Sequence, residues 1–392
     1  MLRPNSTINL PLHGGHAPLY LIKRMIKLSA AISKVIVDYY GEHEFLRRLS
    51  DPLWFQAFGC VLGFDWHSSG VTTVVTGVLK QALTVDNHGI CIAGGKGKNS
   101  REAKTDIPRL AEKNYNLSSA KINSLLYASK MAAKVDGAAV QDGYSLYHHA
   151  VLFDKDGDWT VVQQGMNASN MMARRYHWIS DRVNNFVSDP HAGIICASKN
   201  SSTLNMASVE SEENQKLSVE LATADISNLK SSVMKITEKI KHHENGTLDN
   251  WIKEHDRPPL ENIQEGYLSE HYEMPLRLNW NLFRNIYDIQ PTNYEQLISI
   301  QGFGPAAVRA LSLIGEIIFG TKASWQDPVK FNFAHGGKDG VPYPVARATY
   351  DKSISYLSSA IEGAEIQREE RIQSLKKLAT FSTKMFPAGQ LN

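Results

Sequence analysis

The run YEQLISIQGFGPAAVRALSLIGEIIFG, residues 294–320, constrains this chain more than any other stretch. Leu297 and Ile298 mark a short helix. Gly302-Phe303-Gly304 makes a turn, and Pro305 opens a longer helix on which Ala307, Val308, Leu311 and Ile314 recur at helical spacing. Proline suits a first helical turn because its missing N–H would be unpaired there anyway. The two glycines permit backbone angles that a side chain forbids and leave their N–H groups uncovered. With the helix N-terminus they form an anion trap carrying about half a positive charge.

An apolar helix, Gly-x-Gly and a second helix together resemble the helix-hairpin-helix DNA-binding motif. The resemblance implies a grip on one DNA backbone strand through its phosphates, with little reading of bases. Gly302 and Gly304 would supply N–H donors, and Arg309, one turn into the second helix, a further phosphate contact. An ordinary helical hairpin with a glycine turn is the alternative.

A chain of 392 residues has room for two or three domains. Its 42% apolar and 21% charged residues mark it as globular. The net charge is only +2, so a nucleic-acid surface must be a local basic patch. Cys60, Cys91 and Cys196 lie far apart, with neither zinc spacing nor a disulfide framework, which suits a reducing compartment. The apolar stretch after Pro18 is broken by Lys23, Arg24 and Lys27, so no leader or membrane span is expected. These features predict a soluble, cytoplasmic protein.

The expected fold class is a mixed α/β N-terminal domain plus an all-α helix-hairpin-helix C-terminal domain. The boundaries are an α/β domain over 1–200, a helical linker or arm over 201–258 and the hairpin domain over 259–325. A C-terminal loop and helix over 326–392 pack on the rest. Within the first domain, LPLHGGHAP holds His13 and His16 around two glycines. A helix carrying Ile22, Met25, Ile32, Val35 and Ile36 then runs to Gly41. In DPLWFQAFGCVLGFDWHSSG, Trp54, Phe55 and Phe58 read as core. Asp65 and His67 close the apolar run as a polar pair that the fold would position.

A strand over 89–93 leads into Gly94-Gly95-Lys96-Gly97-Lys98. This is no Walker motif, because the Gly-Lys-Ser/Thr ending is missing. It is a glycine loop with two cations, suited to phosphate or equally to a plain basic turn. After a lysine-bearing helix near 118–135, HHAVLFDKDGDWTVVQQGMN alternates as a β-hairpin. Asp154, Asp156 and Asp158 resemble the opening of a calcium loop. Trp159 stands where the sharp-turn glycine belongs and Gly165 where the closing glutamate belongs, so the match fails.

The strand passes through Gln163 to Ala173-Arg174-Arg175-Tyr176-His177-Trp178. Adjacent arginines among aromatics suit phosphate pairing and base stacking. The competing reading is an arginine pair on a solvated edge with the aromatics turned inward. A last strand over 193–197 closes the domain, and 200–211 reads as a polar linker. From 217 to 240 apolar residues recur at three and four, a seam that suits an internal helix pair and also allows a homo-oligomer. Past the hairpin, FAHGGKDGVPYPV brings a second His-Gly-Gly and Lys338.

Together LPLHGG, FGCVLGFDWHSSG, GGKGK, VVQQGMN with ARRYHW, the hairpin and FAHGGKDGVPYPV resemble an uncharacterised prokaryotic family, domain of unknown function 763. That resemblance implies no chemistry, so function rests on the residues. Nucleases that use such hairpins need carboxylates for a divalent metal, or a His/Lys/Arg set that activates water and stabilises charge on phosphorus. Asp65, His67, His148, Gln163 and His177 are the catalytic candidates, with Asp65 and His67 also candidates to hold Mg2+ or Mn2+. Lys96, Lys98, Arg174, Arg175 and Lys338 join Gly302, Gly304 and Arg309 as nucleic-acid contacts. The expectation is a DNA-binding nuclease of repair or recombination. A non-enzymatic DNA-binding repair factor is the first alternative. A glycosylase-like base-excision enzyme is the second, although Ala306 replaces the lysine such enzymes carry and Asp327 lacks their surrounding pattern.

Overall fold

The computed structural model describes residues 19–64, 70–196, 199–200, 202–244, 272–329, 331–332 and 347–385. The fold is mixed α/β. A six-stranded sheet runs in the order β1 (Ile90–Lys96), β3 (Ser145–Asp154), β4 (Trp159–Asn167), β5 (Met172–Ile179), β6 (Gly193–Cys196) and β8 (Phe331–Asn332). Its pairings are antiparallel except the last, β6 with β8. A separate ribbon joins β2 (Val140–Gln141) to β7 (Leu204–Asn205).

Side chains alternate across a strand, and here each set has its own core. Cys91, Val151, Phe153, Val161, Tyr176, Trp178 and Ile194 enter one apolar cluster. Ile90, Ile92, Leu152, Val162, Ala173 and Ile195 enter the other. Over the second face lie α1 (Leu19–Leu49), α2 (Pro52–Leu62) and α3 (Gly70–Ala82), with α12 (Arg347–Gly363) and α13 (Arg368–Met385) packed on α1 and α2. Every residue of α2 is buried, as expected for a helix apolar all round. Asp51 starts it by accepting the N–H groups of Leu53 and Trp54, and Gly63 ends it with φ 118°. Trp54, Phe55 and Phe58 are core residues.

Beyond α3 come α4 (Val85–His88), α5 (Ala103–Tyr115) and α6 (Ser119–Lys134). The last two cover the first face together with α7 (Glu212–Thr223) and α8 (Ile226–Glu244). Ser118 caps α6 by accepting from the Lys121 N–H. At its far end the helix widens into a π turn, Val135–Ala139, which carries Asp136 under the sheet. Such turns are frequent at functional sites.

The segment 294–320 folds as two helices around a glycine turn, α10 (Tyr294–Ser299) and α11 (Pro305–Phe319), preceded by α9 (Trp280–Ile289). These helices have no core of their own. Leu297, Ile298, Phe303, Val308, Leu311 and Ile314 lie in the same cluster as the sheet residues Tyr176 and Trp178. The pattern over 217–240 falls on two helices, α7 and α8, broken where Asp225 accepts the Ser227 N–H. Another expectation shifts. Residues 203–207, read as linker, are buried, because Leu204 and Asn205 pair with β2. Among the described residues, no helix is long and apolar enough to cross a membrane.

Candidate functional site

Strand β1 extends three residues past the expected apolar run, through Gly94, Gly95 and Lys96. Its register sets Gly95 opposite His149 and Lys96 opposite His148. Gly94 has φ 81°, and a Cβ there would stand 2.3 Å from the His149 carbonyl oxygen, so only glycine lets the two backbones approach. The glycine loop is thereby bound to the histidine pair. Its first glycine is not free for phosphate: the Gly94 N–H donates to Asp106 and its carbonyl accepts from Lys80.

Between this loop, β3 and α6 opens a cavity of about 270 Å³. Sites for whole drug-sized ligands run from roughly 300 to 1,000 Å³, so this one suits a piece of a larger substrate. Its rim carries Arg101, Lys104 and Lys130, all exposed, and Lys104 belongs to the first turn of α5. Ser129, His148, His149 and Gln163 also line it, and all four are buried. The exposed cations thus surround an interior lined by buried, uncharged polar groups.

A hydrogen-bonded chain runs inward from that cavity. Ser129 Oγ lies 2.8 Å from His149 Nε2, and His149 Nδ1 lies 2.8 Å from Gln163 Oε1. Gln163 Nε2 donates to Asp136 Oδ2 at 2.5 Å. The Asp136 carboxylate also receives Trp178 Nε1 at 2.9 Å and His191 Nε2 at 2.5 Å. These partners fix the protons. A carboxylate accepts, so the Gln163 amide nitrogen faces it and the amide oxygen faces His149. His149 therefore carries its proton on Nδ1, and its Nε2 lone pair accepts the Ser129 hydroxyl. Burial pushes the His149 pKa below the usual imidazole value, against the pull of Gln163 and Asp136, so the ring is neutral.

His148 is committed differently. Its Nε2 lies 3.1 Å from Thr76 Oγ1, whose own proton goes to the Thr72 carbonyl at 2.8 Å. Nε2 is thus the donor, and Nδ1 keeps a lone pair with no partner among the described residues. Burial first, then His149 and Lys96, pushes the His148 pKa down to about 3.

Of the residues singled out in the sequence, His148 and Gln163 meet at this cavity, with Lys96 beside them in register. Lys98 follows in the exposed turn after β1. Asp65, His67 and Lys338 lie outside the described residues.

Arg174, Arg175 and His177 are corrected. All three are fully buried, which removes the expected arginine surface for phosphate. Arg174 pairs with Asp142 at 2.9 Å and with Asp327 at 2.7 Å, fastening the segment after α11 to β5. Burial pushes the Asp142 carboxyl upward against the opposing pull of Arg174. Arg175 and His177 point to the other face of the sheet, away from Gln163, because strand neighbours alternate. There Arg175 donates to His177 Nε2 at 2.8 Å, to Gln56 Oε1 at 3.1 Å and to the Pro52 carbonyl at 3.2 Å. Burial lowers its pKa to about 9. His177 donates from Nδ1 to the Leu49 carbonyl, so both its nitrogens are occupied on the face away from the cavity.

The hairpin meets the cavity through α6. Lys134 donates to the carbonyls of Ile300 at 2.9 Å and Phe303 at 2.6 Å. Lys130, one turn earlier on the same helix, stands on the cavity rim. Gly302 has φ 86° and is exposed, whereas Gly304 is extended with φ −133°. Arg309 donates from Nε to Gln141 Oε1 at 2.8 Å and lies over the Trp325 ring.

The sequence reading passed over Ser129, His149, Asp136, Arg101, Lys104 and Lys130. Adjacent histidines on an alternating strand were a signal, because one of the two had to face α6. Among the described residues, His43, Asp158 and Asp181 bring one ligand atom each within 4.8 Å of one another. They stand near the β3–β4 turn, about six residues or roughly 20 Å along β3 from the cavity.

Fold and site define a mixed α/β protein with buried neutral imidazoles opening into a cation-rimmed cavity. Residues 6–345 match the family described as "Protein of unknown function (DUF763)", and the chain belongs to that family. No curated protein and no solved structure matches it.

Proposed function

We propose that the protein binds DNA through a helix-hairpin-helix module and cleaves a phosphodiester in the adjoining cavity. The observation that carries this reading is that one helix, α6, serves both places: Lys134 holds the turn of the hairpin while Ser129 and Lys130 line the cavity. On this reading a backbone strand gripped at the Gly302–Gly304 turn continues along α6 toward the rim cation Lys130. Arg101, Lys104 and Lys130 hold the scissile phosphate and offset charge as it grows on the phosphoryl oxygens. The neutral His149 accepts a proton through Nε2. The all-α hairpin unit of this proposal grips DNA without reading sequence.

Purified full chain is tested on labelled single-stranded, duplex and junction DNA, with Mg2+, with Mn2+ and with EDTA. Cleavage that falls at least about tenfold in Lys104→Ala/Lys130→Ala is expected, in line with the loss of charge stabilisation. Salt-sensitive binding with no cleavage of any substrate would favour a non-enzymatic DNA-binding factor. Release of free base, with strand breakage only after alkali, would favour the glycosylase reading.

A further inference from the structure

We infer that Ser129 is the nucleophile of this site and that cleavage passes through a phosphoserine ester joining protein to DNA. The inference rests on the reading of the cavity as a phosphodiester site. It is carried by the order hydroxyl, imidazole, orienting group: Ser129 Oγ to His149 Nε2 at 2.8 Å, then His149 Nδ1 to Gln163 at 2.8 Å, with Gln163 held by Asp136. An activated nucleophile is recognised by such an arrangement, a base within hydrogen-bond reach and a third group fixing its tautomer. One feature separates it from an ordinary buried serine: Ser129 is on the cavity wall beside the rim cation Lys130.

The chemistry balances with water as the sole co-reactant. Ser129 Oγ attacks phosphorus and its proton passes to His149 Nε2. The bond from phosphorus to one strand segment breaks, and the departing oxygen takes that proton. The other segment stays joined to Ser129 through the new Oγ–P bond. Water then attacks the same phosphorus and gives a proton to His149. The Oγ–P bond breaks and Ser129 recovers its proton. One phosphodiester and one water yield a phosphomonoester and a hydroxyl. Gln163 and Asp136 are positioning residues, since they act through His149.

Stereochemistry at phosphorus tests this. Full chain is given an oligonucleotide with one phosphorothioate of known configuration at the cleaved bond, and the reaction is run in ¹⁸O water. Two in-line displacements retain configuration, and that is the expected result. Inversion would mean that water attacks directly, which would overturn the inference while leaving the phosphodiesterase reading intact. Absence of any cleavage would sink both. Ser129→Ala places a good helix former on α6, so the fold should hold. Its cleavage rate should drop at least about a thousandfold, as for loss of a nucleophile. Cleavage by that variant within about tenfold of wild type, measured as a rate against the same substrate, would also refute the proposal.

Discussion

The ammonium of Lys134 donates to the Phe303 carbonyl at 2.6 Å, so the helix that carries Ser129 also holds the glycine turn of the hairpin. Burial, with a smaller push from Lys130, lowers the Lys134 pKa to about 8. Lys134→Met should leave the Ile300 and Phe303 carbonyls without this donor and cost roughly 1–3 kcal/mol. The sign with pH follows from linkage. Between about pH 8 and 10.5 the unfolded lysine binds more protons than the folded one, so this residue makes stability rise with pH across that window. Denaturation midpoints at pH 7.5 and 10 should therefore separate wild type from Lys134→Met more widely at the higher pH. A gap that narrows would contradict the lowered Lys134 pKa.

The two hairpin glycines should behave differently. Gly302 has φ 86°, so valine there forces a left-handed backbone at about 1–2 kcal/mol and loosens the turn. Gly304 is extended, and valine is tolerated by its backbone while covering the N–H groups at the start of α11. Gly304→Val should thus weaken DNA binding with little change in melting temperature, and Gly302→Val should lower both. For every phosphate the protein no longer neutralises, the slope of log affinity against log salt should fall by roughly 0.7–0.9. Fluorescence anisotropy over a salt series reads the slope; an unaltered slope in Gly304→Val would count against phosphate binding at the turn.

Much of this fold was legible because strands and helices carry different periods. HHAVLF and WTVVQQ alternate, and the observed β3–β4 pairing follows. The same alternation in ARRYHW already put Arg174 and Arg175 on opposite faces, so one surface could not present both. What sequence does not carry is depth. Both faces of this sheet are covered, so an arginine pair that would be a surface feature in a two-layer protein is interior here. Ser129 was illegible for a related reason. It is one hydroxyl in a lysine-bearing helix, and its partner His149 comes twenty residues later on a strand. Only the packing of α6 over β3 brings them together.

Arg174 and Arg175 offer contrasting tests. Arg174→Ala leaves Asp142 and Asp327 buried without their counterion, which should cost about 3–5 kcal/mol. No carboxylate pairs with Arg175 in the described structure; its guanidinium is met by Gln56, the Pro52 carbonyl, His177 and the Phe55 ring. Arg175→Met, of similar volume, removes a buried cation at the expense of those hydrogen bonds and should cost clearly less. Chemical denaturation of the two variants ranks them. Neither should alter the salt dependence of DNA binding, since neither side chain reaches the surface.

Acid should unfold the protein through its buried imidazoles. His148, His149 and His177 all have pKa values below the usual imidazole value, with burial as the first cause. Below about pH 6.5 the unfolded chain takes up protons that the folded one refuses, so stability falls as pH drops, for His148 down to about 3. Replacing Thr76 with valine removes the acceptor of the His148 Nε2 proton. That variant should be less stable than wild type at pH 7 by about 1–3 kcal/mol, the usual loss for a buried unpaired donor. A Thr76→Val midpoint equal to wild type would argue against the assigned tautomer.

The rate profile with pH tests the inner end of the relay. In the proposed reaction His149 accepts a proton only when neutral, and burial holds its pKa below the ordinary imidazole value. The acidic decline in cleavage by wild type should therefore fall at lower pH than an ordinary imidazole base would give. Gln163→Glu sets a carboxyl between His149 and Asp136. Two carboxyl groups so close cannot both ionise easily, and they share one proton. The net negative charge then beside His149 favours its imidazolium form and raises its pKa. The acidic limb of the rate profile should accordingly move to higher pH in Gln163→Glu, with a lower rate at pH 6 than wild type. Gln163→Leu is a control: it removes the tautomer-fixing acceptor and should depress the rate at every pH without shifting the limb upward. A purely structural Gln163 would give two variants with the same profile shape as wild type, differing only in the amount of folded protein. Matching profiles, once normalised to the folded fraction by circular dichroism, would therefore detach Gln163 and Asp136 from the chemistry.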